Sequence, residues 1–236
     1  GSSGTGTGTT TGTGTGTTTG TGSTSGTGTT TTTGTGVGGG SGSSISLVTG
    51  WNLVGNSTTT AMPVDFYFGD KTKVTSVWAW SASTSTWAFY SPMLTDGGVA
   101  YAATKGYAAL SSIQPGTGFW VNAASAQTVT LPSGSPYVSN FFIDNMPSGW
   151  SLNSIGDSLT PRGFNNSLSI TPPGVGSVTP MFTSLWAWDT SGAWYFYAPS
   201  LDDAKGSLST YAKGKGYLEF GTKVLQPGTG FWVNQP

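Results

Sequence analysis

The sequence predicts an all-β protein in which two tandem, homologous small modules of sandwich or barrel type follow an extended low-complexity tract. Three observations lead there. Short runs of aromatic and β-branched residues recur in the same order in two parts of the chain. No long segment keeps the 3.6-residue apolar period of a helix. Residues 1–44 consist of 19 Thr, 17 Gly, 7 Ser and 1 Val, so they have almost nothing apolar to bury.

The tract keeps a two-residue phase. From Ser3 to Gly38 every odd position is Thr, Ser or Val, and every Gly occupies an even position. Where the alternation lapses, at 9–11 and 17–19, Thr replaces Gly without shifting the frame. A strand sends alternate side chains to opposite faces, so an extended tract has one β-branched face and one nearly bare face. Thr11, Thr13 and Thr15 sample the first face, Gly12, Gly14 and Gly16 the second, and these are the candidate assembly residues. Such a strand lacks an apolar face of its own and needs partners, which points to a homopolymer. A flexible stalk, with or without O-linked sugars on Thr, is the other reading. Repeat slippage in whole Gly-Thr units preserves the phase with no structural need, so both readings stand.

Residues 45–236 suffice for two small domains, expected at 45–124 and 137–236 with a linker at 125–136. In the first, Ile45, Leu47, Trp51 and Leu53 alternate with Ser46, Val48, Gly50 and Asn52, the pattern of a half-buried strand. VTSVWAW and TWAFY are short strands joined by the turn SASTS. Short helical turns are expected at 64–68 and 99–104. PGTG then forms a tight turn into GFWVN, the last strand. The second module repeats this: GW at Gly149 and Trp150, TSLWAW at 183–188, WYFYAP at 194–199, KGY at 215–217 and QPGTGFWVN at 226–234. Its hairpin joint is DTSGA, where Asp189 suits an Asx-turn and Gly192 a positive φ. All ten Trp fall into matched pairs: Trp51 with Trp150, Trp78 with Trp186, Trp80 with Trp188, Trp87 with Trp194, and Trp120 with Trp232.

The series GWNLVG, VWAW, W-x-FY-x-P and I-x-PGTGFWVN resembles a small β-module found near the C-termini of secreted and surface proteins of bacteria. The likeness covers nearly all of residues 45–236, in two copies. It implies an extracellular accessory module and carries over no catalytic residue. The second copy departs from the pattern, reading GWSLNSIGDS where the first reads GWNLVGNS, so its opening loop is expected to differ.

Composition excludes several functions. Only 7% of residues are charged, against roughly a quarter in an average domain. A net charge of −1 offers little to a nucleic-acid backbone, and no apolar stretch is long enough to span a membrane. Without His or Cys there is no Ser-His-Asp or Cys-His site and no usual zinc site. Glycoside hydrolysis needs paired carboxylates, and the acids are not repeated between the two copies. Neither an enzyme nor a cofactor nor a metal is expected. Asp202 and Asp203 read as solvated loop acids in preference to a Ca²⁺ site, and PGTG lacks the GK[ST] of a phosphate-binding loop. Asn56-Ser57-Thr58 and Asn165-Asn166-Ser167 are glycosylation sequons. Low charge with abundant Thr, Ser, Gly and aromatics suits a secreted bacterial β-protein. The start at Gly1, without Met or signal peptide, reads as a processed or trimmed form.

Aromatic rings are the remaining chemical resource. Most are expected to fill the cores of the two modules, since each buries about 150–250 Å². Trp78 with Trp80, and Trp186 with Trp188, share strand faces and are the candidate ligand-binding residues, a platform for sugar rings. The leading expectation is a non-enzymatic extracellular or cell-surface structural protein, a fibre or surface-layer subunit joined through its Gly/Thr strand. The alternative is a stalked carbohydrate-binding or adhesive module, with polysaccharide as partner.

Overall fold

The computed structural model describes residues 43–171, 174 and 178–236. The expectations placed on residues 1–42, including the faces carrying Gly12, Gly14, Gly16, Thr11, Thr13 and Thr15, lie outside the described residues. Among the described residues the chain is mostly β, with several sheets, a few short helices and no closed barrel.

In the N-terminal half, β1 (Ser44–Leu47) and β2 (Gly50–Gly55) precede β3 (Met62–Pro63) and the short helix α1 (Val64–Phe68). The hairpin β4 (Val74–Ser81) and β5 (Thr86–Tyr90) follows, then α2 (Val99–Lys105), β6 (Ala108–Ala109) and β7 (Ser112–Ile113). Last come β8 (Gly118–Ala123) and β9 (Gln127–Thr130). Five strands make one sheet in the order β2-β8-β4-β5-β6, antiparallel except between β5 and β6. In the C-terminal half, β10 (Gly149–Asn153) and α3 (Pro161–Ser167) lead to the hairpin β11 (Ser184–Asp189) and β12 (Ala193–Tyr197). Then follow α4 (Ser207–Lys215), β13 (Leu218–Glu219) and β14 (Phe231–Gln235). The second sheet has the order β10-β14-β11-β12-β13, and again only its last pair is parallel. The recurring phrases therefore sit on strands with the same neighbours in both sheets.

Both helical turns expected in the first half are present, as α1 and α2. The alternation from Ile45 to Leu53, however, is divided between two strands in different sheets. β1 pairs with β9, in the stretch expected as a linker, so this stretch folds onto the N-terminal half. β2 pairs with β8. The chain turns between them through Gly50, at φ +95°, and the Asn52 side chain bridges the break. Its Oδ1 accepts from Val48 N at 2.9 Å, and its Nδ2 donates to Val48 O at 2.7 Å. The hairpin joint of the second half behaves as its sequence suggests: Gly192 has φ +95°, and Ser191 N donates to Asp189 Oδ2 at 3.0 Å. The counterpart of Gly192 in the first half is Ser85, which holds φ +51° without glycine's freedom, at about 1 kcal/mol.

Each half has its own core, on one face of its sheet. Phe119, Val121, Val77 and Val74 point inward from β8 and β4 to meet Phe68, Met62 and Ile113. Phe231, Val233 and Leu185 do the same in the second half, against Phe164, Ile155 and Leu225. Phe119 and Phe231 are wholly buried, and each contributes about 2–3 kcal/mol by leaving water. No tryptophan belongs to the buried set of either core. Alternation puts the indoles on the opposite face: Trp78 and Trp80 flank Ala79, and Trp120 lies between Phe119 and Val121. VWAW reads as a continuous apolar run because both faces of its strand are covered.

Candidate functional site

The two tryptophan faces meet, and the seam between the sheets is where their side chains gather. The described residues form one compact unit across it. Its contacts are reciprocal. Gly55 N donates to Gly228 O at 2.9 Å, and Ser154 N, the counterpart of Gly55, donates to Gly116 O at 2.9 Å. Val54 bridges Thr229 while Asn153 bridges Thr117. Each PGTG turn thus docks on the first sheet strand of the other half. Gly116 and Gly228 take positive φ in these turns, at +69° and +86°. The second glycine is required for a different reason, close approach. A Cβ at Gly230 would overlap the Val54 carbonyl oxygen, and one at Gly118 would lie 2.7 Å from Asn153 O.

The indoles repeat this exchange. Trp80 Nε1 donates to Trp150 O at 2.9 Å, and Trp188 Nε1 donates to Trp51 O at 3.2 Å. Trp232 packs against Trp80 and Trp87 at 6.1 and 5.9 Å, as Trp120 packs against Trp188 and Trp194 at 5.6 and 5.9 Å. Swapping every residue for its counterpart reproduces the set, which is the signature of an isologous interface. Within each half Trp78 Nε1 bonds Ser76 Oγ and Trp186 Nε1 bonds Ser184 Oγ, both at 3.0 Å.

Two open grooves flank this seam. The first, of about 510 Å³, is walled by Trp80 and Trp87 from the N-terminal half and by Trp150, Trp186, Trp194, Trp232 and Tyr217 from the C-terminal half. The second, of about 440 Å³, takes the counterpart of every one of these: Trp188 and Trp194, with Trp51, Trp78, Trp87, Trp120 and Tyr107. Trp87 and Trp194 line both. No charged side chain lines either groove. Trp51 and Trp150 are the most open of the ten indoles, at 46% and 44% exposure.

The four tryptophans singled out in the sequence all line these grooves, but not as the expected pairs. Trp78 and Trp80 share a strand face yet line different grooves, and so do Trp186 and Trp188. Sequence reasoning missed the composite walls, and with them the other six tryptophans, Tyr107 and Tyr217. The repeated KGY was the signal for the two tyrosines.

Other candidates resolve into structural roles. Asp202 receives hydrogen bonds from Arg162 and from Tyr197 Oη, the latter at 2.8 Å. Burial raises its pKa, but the Arg162 and Tyr197 bonds outweigh that and hold it below the usual carboxylate value. Asp203 accepts from Lys205 N and Ser207 N at 2.9 and 3.1 Å, just before α4. Asp96 accepts from Gly98 N and Ala100 N in the same way before α2. One acid is therefore repeated between the halves after all, and its work is to order a helix entry. Both sequon asparagines are fully buried. Asn56 Nδ2 donates to Thr60 O at 2.8 Å and Asn165 Nδ2 to Thr179 O at 2.8 Å, so they brace loops and present no amide for a glycan. Among the described residues no group of three His, Cys, Asp or Glu side chains is placed to hold a metal, and no helix is long and apolar enough to cross a membrane. Comparison with protein-family models, curated proteins and solved structures finds no match to this chain.

Proposed function

We propose that this chain is a non-enzymatic extracellular binding protein, made of two copies of one β-module, that holds neutral carbohydrate against its tryptophans. The observation that carries the reading is the pair of solvent-open grooves walled by indole and phenol rings. Pyranose rings present C–H faces that stack on such surfaces while their hydroxyls stay in water. Ligand sites of several hundred Å³ with mainly aromatic walls fit small organic ligands and short oligomers. The uncharged lining suits an uncharged ligand, and the likeness of the repeated phrases to bacterial surface modules supports the extracellular setting. The test is tryptophan fluorescence across a panel of soluble neutral glycans. At least one should quench the emission in a saturable way, and an absence of quenching by every glycan would remove the reading.

The two-residue phase of residues 3–38 favours a second role for the tract, as a strand-pairing arm that joins subunits into a fibre. On that reading, replacing Gly12, Gly14 and Gly16 with Val abolishes sedimentable assemblies, because the bare face is needed for close approach. Replacing Thr11, Thr13 and Thr15 with Val is tolerated, since the β-branched shape is kept. Equal behaviour of the two triple variants, together with rapid proteolysis of the tract, establishes a flexible stalk instead.

A further inference from the structure

We infer that each chain carries two equivalent glycan sites, neither of which exists in one half alone, and that they select sugars whose hydroxyls are all equatorial. The inference rests on the carbohydrate reading and adds stoichiometry, architecture and ligand class. Its basis is the reciprocity of the seam. The first groove needs Trp80 and Trp87 from one half to close over Trp150, Trp186 and Trp232 of the other. The second groove reverses the contributions residue for residue. Like walls impose like affinity, so a ligand that fits one groove fits both.

The chemistry of the walls narrows the ligand. The indole N–H groups of Trp78, Trp80, Trp186 and Trp188 are engaged within the protein, by Ser76, Trp150 O, Ser184 and Trp51 O. No charged side chain is present either, and the polar groups that remain, the other indole N–H groups and the Tyr107 and Tyr217 hydroxyls, lie at ring edges, so the ring faces themselves carry no hydrogen-bonding group. The grooves present ring faces to ring faces. A β-1,4-linked glucan has every hydroxyl equatorial, so both faces of each residue are C–H surfaces. A β-1,4-linked mannan places the axial 2-hydroxyl of every residue on one face, which such a wall must desolvate, at a cost in affinity. Two sites on one chain also let a monomer tie two glucan strands together, a bivalence that needs no self-association.

Titration calorimetry with cellohexaose tests this. The unmodified protein should bind two cellohexaose molecules per chain, and at least tenfold more tightly than β-1,4-linked mannohexaose. Trp51→Ala and Trp150→Ala each open one groove at its most exposed indole. The backbone carbonyls that Trp188 and Trp80 use remain in these variants, so the seam is kept. Each single variant should retain one site, and the double variant none. One cellohexaose per unmodified chain, or loss of both sites in a single variant, overturns the two-site architecture. Equal affinity for mannohexaose overturns the selectivity. If cellohexaose does not bind while another glycan quenches the fluorescence, this inference falls and the carbohydrate function stands. If no glycan quenches, that function falls first.

Discussion

Replacing Trp232 with alanine is expected to cost about 3 kcal/mol and to lower the melting temperature by roughly 10 °C. The ring stands at the centre of one indole cluster, touching Trp80, Trp87 and Trp150 at 6.1, 5.9 and 6.1 Å. Its removal leaves two edge-on contacts and one tilted contact without a partner and opens the seam from the C-terminal side. The cost sits at the lower end for a large aromatic because the ring is only half-buried. Trp120→Ala should behave alike, since Trp120 touches Trp51, Trp188 and Trp194 in the same arrangement. Thermal denaturation followed by circular dichroism measures both. Melting unchanged in the two variants would show that the seam contributes nothing to stability.

A second substitution of similar size adds a single methyl group. Gly230→Ala is expected to destabilise the protein by about 3 kcal/mol, because the new Cβ collides with backbone and not with a side chain that can turn away. It would overlap Val54 O and lie 2.8 Å from the Val54 carbonyl carbon. Relief requires the PGTG turn to lift off β2, which breaks the Gly55 N to Gly228 O bond next to it. Tryptophan emission should shift to the red as the indole faces part. Gly118→Ala meets Asn153 at 2.7 and 3.1 Å, a looser fit, so its effect should be smaller with the same spectral sign. A Gly230→Ala protein with native melting and native emission would mean that the close approach is not needed.

Much of the secondary structure was legible because it depends on local chemistry. Asp189 and Gly192 announced their turn, and the Pro-Gly turns announced the last strands. The same period of two showed that Trp78 and Trp80 share a face and that Val77 and Ala79 share the other. It did not show what either face meets. Both are apolar, and nothing in VWAW distinguishes a face turned to its own core from one turned to a second sheet. The candidate tryptophans were found for this reason, while their division between two grooves was not. The break after Leu47 was hidden in the same way, since apart from Thr49 the odd positions stay apolar through Leu53 although Ile45 and Leu47 face the core while Trp51 belongs to a groove wall. β9 was obscured by its length and by Gln127, Thr128 and Thr130, which leave Val129 as its one buried side chain.

Gly55 and Ser154 occupy equivalent places in the two halves and face each other across the seam. A Cβ on Gly55 would fall on the Ser154 side chain, so the space holds one side chain and not two. The Ser154 hydroxyl there is buried without a hydrogen-bond partner, so it fills room more than it bonds. Two identical subunits meeting about such a point would have to place the same residue on both sides, either a pair of glycines with a void or a pair of serines in collision. Joining the halves in one polypeptide lifts that restriction. The departure from the repeat at this position is a liberty that two copies of one subunit cannot take, and it makes the two halves complementary where such copies would be merely alike.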